Sequence, residues 1–223
     1  AEHRSRRGRE ANRRAMLEAA AQAFFEHGYE GTSIDAVIER VGGSKRTLYA
    51  HFGKKRELFT AIVTEHLDRM TAALVPGEAQ DGDLRSALHA YGMRLLEALS
   101  SPMTVALYAT VIGESRRFPE LARTFFERGP NSAVERLADL LETHRRRGGV
   151  EIDDPRRAAE SLVGMLRGNL LMAMVLGVRK APRTKETKAR VAEAVETFLE
   201  GVGAGAGKTK LAPPPAHRRR PRC

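Results

Sequence analysis

Apolar residues recur along this chain at helical rather than strand spacing. From about Glu10 to His27, the positions Leu17, Ala20, Ala21, Phe24 and Phe25 follow the i, i+3, i+4, i+7, i+8 series of one buried helix face. A second helix is expected over Ser33 to Arg40, with Ile34, Val37 and Ile38 inward and the apolar run continuing into Val41. A short third helix spans roughly Ser44 to His51, and a fourth runs from Lys54 through Leu58, Ile62 and Leu67 to about Leu74. Further helices are predicted at about 83–99, 103–116, 119–128, 131–147, 156–177 and 184–202. Clusters such as Gly28–Gly31, Pro76–Gly82, Gly129–Pro130 and Gly177–Pro182 separate them. No segment alternates with period two, so the fold class is all-α.

The stretch from Thr32 to Phe59 carries chemistry as well as structure. Ser33 and Ser44 are placed to cap the second and third helices, and Gly42-Gly43 supplies the left-handed backbone of a sharp turn between them. Two short helices joined in this way form a helix-turn-helix, whose second member enters the DNA major groove. Leu48 and Phe52, four residues apart, face inward toward Ile34, Ile38 and Leu58, which leaves Lys45, Arg46, Thr47 and Tyr49 on or beside the free face. Arg46 can bond bidentately to guanine O6 and N7, Thr47 can offer its methyl to thymine, and Lys45 suits a base or a phosphate. Tyr49, His51 and Lys55 suit phosphate clamping, together with the helix N-terminus that opens near Lys54. Thr32, Ser33 and Ser44 complete the candidate DNA-binding set. Each residue alone is better explained by a solvated helix face; their convergence on one helix-turn-helix reverses that and favours DNA.

Charge adds to this picture. The net charge of +10 is uneven: residues 1–56 hold 12 Lys and Arg against 7 Asp and Glu, residues 57–202 hold 20 against 21, and residues 203–223 hold 6 against none. Basic ends on a near-neutral body favour a polyanionic partner, because cations that neutralise phosphates release condensed counterions. Four segments follow: a basic N-terminal arm (1–9), a helix-turn-helix domain (10–56), a body (57–202) and a flexible basic tail (203–223). Within the tail, Gly207-Lys208-Thr209 resembles the end of a phosphate-cradling loop but fails the test. Val202 stands at the first glycine position, a helix precedes it, and Pro213 to Pro215 follow where a helix should begin.

Composition removes other classes. The single cysteine, Cys223, excludes an internal disulfide and a thiolate metal site. The most apolar stretch, Leu162 to Val178, falls short of the roughly 20 residues a membrane span needs and carries Arg167 and Asn169. The first residues lack the apolar core of a signal peptide, so a cytoplasmic protein without a membrane partner is expected. No cofactor or metal site is expected either. H-E-x-x-H, E-x-x-H and G-x-S-x-G are absent, which speaks against an enzyme.

The run from Gly28 to Phe59 resembles the DNA-binding domain of the TetR family of transcriptional regulators. The resemblance covers residues 10–70 and is carried by Gly28-Tyr29, Thr32-Ser33, the glycine turn, Thr47-Leu48-Tyr49, His51-Phe52, Lys55 and Leu58-Phe59. It implies that Thr47, Tyr49, His51 and Lys55 contact operator DNA. Gly43 departs from the family pattern, in which a β-branched residue is more usual. Arg116 to Leu121, Phe125-Phe126 and Gly129-Pro130 are similar to the C-terminal domain of the AefR-like subgroup. That similarity implies a helical ligand-binding and dimerisation domain, with the helices at about 131–147 and 156–177 pairing with those of a second chain. The implied function is a homodimeric repressor that binds a near-palindromic operator and is released when a small lipophilic effector shifts the fourth helix. The alternatives are a ligand-independent architectural DNA binder and, further off, a helical enzyme of unfamiliar type.

Candidates for an effector pocket are His66, Tyr91, Tyr108, Phe125, Phe126, Met165, Asn169 and Met172. Plain core is the competing explanation for the aromatic residues, and a dimer-register contact for Asn169. On one continuous helix Asn169 shares a face with Met165 and Met172, whereas Arg167 points about 200° away. The two polar residues then cannot line one wall.

Overall fold

The computed structural model describes residues 2–42, 44–74 and 83–205, with side chains over 13–42, 44–74 and 83–201. All regular structure among them is helical: α1 (Glu2–Gly31), α2 (Ile34–Val41), α3 (Lys45–Phe52), α4 (Lys55–Ala72), α5 (Leu84–Leu99), α6 (Pro102–Glu114), α7 (Pro119–Phe126), a π-helical turn (Glu127–Asn131), α8 (Ser132–Arg146), α9 (Pro155–Arg167), α10 (Leu170–Val175) and α11 (Thr184–Gly205). No single helix there is long and apolar enough to cross a membrane. Residues 2–9, expected as an arm, are the first turns of α1. Of the tail, 203–205 belong to α11, and the Gly207-Lys208-Thr209 motif lies outside the described residues.

The helix starts are chemically encoded. Ser33, Ser44, Asp83, Ser101 and Asp154 each accept a backbone N–H of the first turn that they precede, and Pro102 and Pro155 follow two of these caps. Within α1 the chain kinks at Gly28, whose φ of 68° and ψ of −179° suit glycine alone. The Thr32 hydroxyl locks the kink, lying 3.1 Å from the Ala23 carbonyl and 2.6 Å from that of Gly28.

Residues 13–42 and 44–74 form one packed unit. Met16, Leu17, Ala20, Ala23 and Phe24 of α1 meet Val37 of α2, Leu48 and Phe52 of α3, and Leu58, Phe59 and Ile62 of α4. Phe24 and Tyr29 both pack on Phe59, with ring centroids 5.0 and 5.3 Å away. Phe25, expected in the buried stripe, is 40% exposed, and Ala23 is buried in its stead. In the body, α5 packs on α11 and α8 packs on α9. Gly92 permits the first contact, since a Cβ there would come within 2.9 Å of Val191. Tyr91 is buried and donates from its hydroxyl to the Ala133 carbonyl at 2.8 Å.

Two helix expectations need correction. The helix expected over 156–177 is broken: α9 closes with the Gly168 N–H on the Gly164 carbonyl at 2.8 Å, Gly168 takes φ +43°, and α10 starts afresh at Leu170. The separation expected between 119–128 and 131–147 is instead the π-helical turn. Pro130 lacks an N–H and its ring displaces the carbonyl four residues back, so a widened turn carries the chain into α8.

Candidate nucleic-acid interface

The exposed side of α3 is built as its spacing predicts. Leu48 and Phe52 are buried, and Lys45, Arg46, Thr47, Tyr49 and His51 are exposed. The outward groups differ in how freely they move. Lys45 extends to Asp35 of α2, 2.7 Å from its carboxylate, and that bond pushes its ammonium above the ordinary lysine value. Arg46 makes no hydrogen bond or ion pair among the described residues, which leaves its five donors available to a base edge. Ser44 caps α3 through the Thr47 N–H at 3.2 Å, and its hydroxyl lies 3.0 Å from that of Thr47. Ser33 is likewise held by its cap on Ala36 at 3.0 Å.

The remaining candidates divide. Lys54 is exposed at the start of α4, where its N–H donates to Glu57 Oε2 at 3.0 Å. Lys55 is folded back: its Nζ lies 4.7 Å from the centre of the Tyr29 ring and 3.4 Å from the Glu30 carbonyl. Burial pushes this ammonium below the usual lysine range. Thr32 is only 2% exposed, and its hydroxyl is held by the two carbonyls of the kink. Its position in the DNA-binding set is therefore corrected: the side chain holds the turn and does not reach the surface.

Sequence patterning missed a junction between this unit and the body. The Phe118 ring meets Tyr29 edge-on at 5.3 Å, and Arg117 pairs with Glu30 while stacking on Phe118. Tyr29 thus carries Lys55 on one side and touches the start of α7 on the other. Only the Arg116 to Leu121 run hinted at this segment.

An apolar cavity of about 320 Å³ lies in the body, walled by residues of α4 to α7, the π-helical turn, α8 and α9. Of the pocket candidates, Tyr108 and Phe126 line it. Phe125 stands behind Tyr108, ring centroids 4.5 Å apart, and Tyr91 lies buried outside the lining. His66 is hydrogen-bonded to Thr104 at 2.9 Å and borders a different groove, against α1. Met165, Asn169 and Met172 are exposed away from the cavity, whereas Arg167 lines it. The reason is which face of α9 turns inward: Arg167 continues the i, i+3/i+4 row of Arg156, Glu160 and Val163 that lines the cavity, and Met165 lies off that row. The cavity also touches α4. Met70 is in its wall, Gly129 packs on Leu67, and Arg128 grips both carboxylate oxygens of Asp68 at 2.8 and 2.7 Å. No cluster of metal-ligating side chains occurs among the described residues.

A capped helix-turn-helix with an outward polar face, joined through α4 to a cavity-bearing helical body, defines the class of helix-turn-helix regulators. Residues 16–62 match the family model described as bacterial regulatory proteins, tetR family, and residues 86–201 match the AefR-like transcriptional repressor C-terminal domain. The chain belongs to the TetR family. YezE of Bacillus subtilis strain 168, an HTH-type transcriptional regulator, is 32% identical over 125 residues, which are 55% of this chain and 64% of that protein. The first curated relatives are matched over less than two thirds of their own length. A TetR-family regulator from Mesorhizobium loti MAFF303099 has a TM-score of 0.80 at 26% identity, over 86% of this chain and 96% of that one. The flavonoid-responsive regulator FrrA has a TM-score of 0.70 at 32% identity, over 86% and 97%.

Proposed function

We propose that this protein is a homodimeric repressor that binds a near-palindromic operator through α2, α3 and the start of α4, and is released by a small lipophilic effector. The observation that carries this reading is the division of α3 into a buried face of Leu48 and Phe52 and an exposed face of Arg46, Thr47 and Tyr49. Arg46 is the base reader. Lys45, Thr47, Tyr49, His51, Lys54 and the N-terminus of α4 position the duplex, and Lys55 joins them by leaving Tyr29. Repression is supported by the AefR-like repressor match, and a small-molecule effector by the likeness to a flavonoid-responsive protein.

The effector acts from the 320 Å³ cavity, because Met70 puts α4 in its wall and Arg128 ties the π-helical turn to the same helix. A ligand that needs a different spacing of these elements shifts α4 and with it the reading heads of the dimer. It releases DNA by preferring the DNA-incompetent state. The dimer forms through α9–α10 and the adjacent face of α11. Met165 of α9 is exposed and borders a groove with Ala189, Glu193 and Thr197 of α11, and Met172, Leu176 and Val178 are exposed in and just after α10. The segment 131–147, expected to share the interface, buries Leu137, Leu140 and Leu141 within its own chain and exposes Glu135, Asp139 and Arg145. The test is selection of bound duplexes from a random pool. The account expects one near-palindromic site to be enriched; enrichment of no site refutes it.

A further inference from the structure

The charged residues of the cavity are unequally paired. Two guanidiniums line it, Arg156 and Arg167. Arg156 is balanced: it donates to Asn131 Oδ1 at 2.6 Å and lies 3.5 Å from carboxylate oxygens of both Glu135 and Glu160. Arg167, half-buried at the end of α9, has no carboxylate within ion-pair distance among the described residues and lies against the Tyr108 hydroxyl. The rest of the wall is mostly apolar, including Met70, Leu95, Leu99, Val134 and Val163. A cation beside apolar walls, with a neutral phenol as its protein neighbour, is an incomplete charge-assisted pair.

We propose that the effector of this site is an apolar molecule with one anionic head, whose carboxylate or equivalent oxygens pair with Arg167 and accept from Tyr108 while its body lies among Leu95, Leu99 and Val163. This assignment rests on the reading of the cavity as the effector site and adds the charge of the ligand. A neutral lipophile leaves Arg167 without a counter-charge, and a cationic one is repelled.

Three probes with one tail and different heads test this: decanoate, 1-decanol and decylammonium. Their affinities for the full-length protein are measured by titration calorimetry. Decanoate is expected to bind at least tenfold more tightly than decanol, with decylammonium the weakest. Arg167→Met keeps length and apolar contact but removes charge; it should bring decanoate down to the affinity of decanol, and a decanoate preference that survives it overturns the role of Arg167. Arg167→Lys should keep the order. Equal binding of decanoate and decanol by the wild type overturns the anionic assignment and leaves the cavity as a lipophile site. Absence of binding by all three overturns the assignment together with the effector reading.

Discussion

Replacing Thr32 by valine separates a structural threonine from a DNA-contacting one. The side chain is 2% exposed, and its single hydroxyl proton is shared between the Ala23 carbonyl at 3.1 Å and the Gly28 carbonyl at 2.6 Å. Valine matches its shape and stiffness at χ1 but leaves both carbonyls without this donor, which costs about 1–3 kcal/mol. For a chain of this size that is a fall in Tm of roughly 2–12 °C. Thr47→Val is the matched control: the residue is exposed and its hydroxyl meets only Ser44, so stability should stay within about 0.5 kcal/mol of wild type. Losing a bond to a charged phosphate should instead weaken operator binding by about 1.5–3 kcal/mol. Thermal unfolding and operator titration of both variants, at a temperature where each is folded, give the comparison. Normal stability with weakened DNA binding in Thr32→Val would contradict the role of Thr32 as a lock on the kink.

Further consequences follow from other sites. Arg46→Ala should cost about 1–3 kcal/mol in operator affinity and relax one base position, whereas Lys55→Ala should weaken all duplexes alike; a uniform loss from Arg46→Ala refutes its role as base reader. Gly28→Ala and Gly113→Ala add a Cβ with no neighbour within 4 Å, but only Gly28 has positive φ. The first should destabilise by about 1–3 kcal/mol and the second, in the last turn of α6, should be neutral or stabilise by up to about 0.5 kcal/mol; urea denaturation showing equal effects removes the argument. Burial, with Arg69 adding to it, holds the His66 imidazole below its ordinary pKa of 6.5. The fold therefore binds fewer protons than the unfolded chain, and this stability, present above pH 6.5, is lost as pH falls through the lowered value. His66→Gln should flatten that part of the Tm profile, and an unchanged slope assigns it elsewhere.

The DNA-binding half was legible because its signals are local. Ser33, Ser44 and the glycine turn lie within a few residues of the helices they bound, and Leu48 and Phe52 declare their face by spacing alone. Thr32 was misplaced because a threonine hydroxyl serves a phosphate or a backbone carbonyl equally well, and only the kink at Gly28 decides between them. The cavity was less accessible to such reasoning, since residues from Met70 to Arg167 meet in it across nearly a hundred positions. Arg167 rather than Asn169 faces the cavity because it continues the row of Arg156, Glu160 and Val163 on α9, and spacing alone does not say which side of a helix turns inward. The break at Gly168 was hidden for a separate reason, since an interior glycine costs a helix only about 1 kcal/mol. Pro130 was legible as an interruption, but the chain absorbs it by widening a turn.

The central claim is that α3 reads a particular DNA sequence. It is tested most directly by titrating the purified protein with the DNA upstream of its own gene and with random duplex of equal length, at low and at near-physiological salt. The account predicts a preference for the upstream DNA that persists at the higher salt, where phosphate contacts alone weaken steeply. Equal affinities that collapse together as salt rises would contradict it and identify a binder of any duplex.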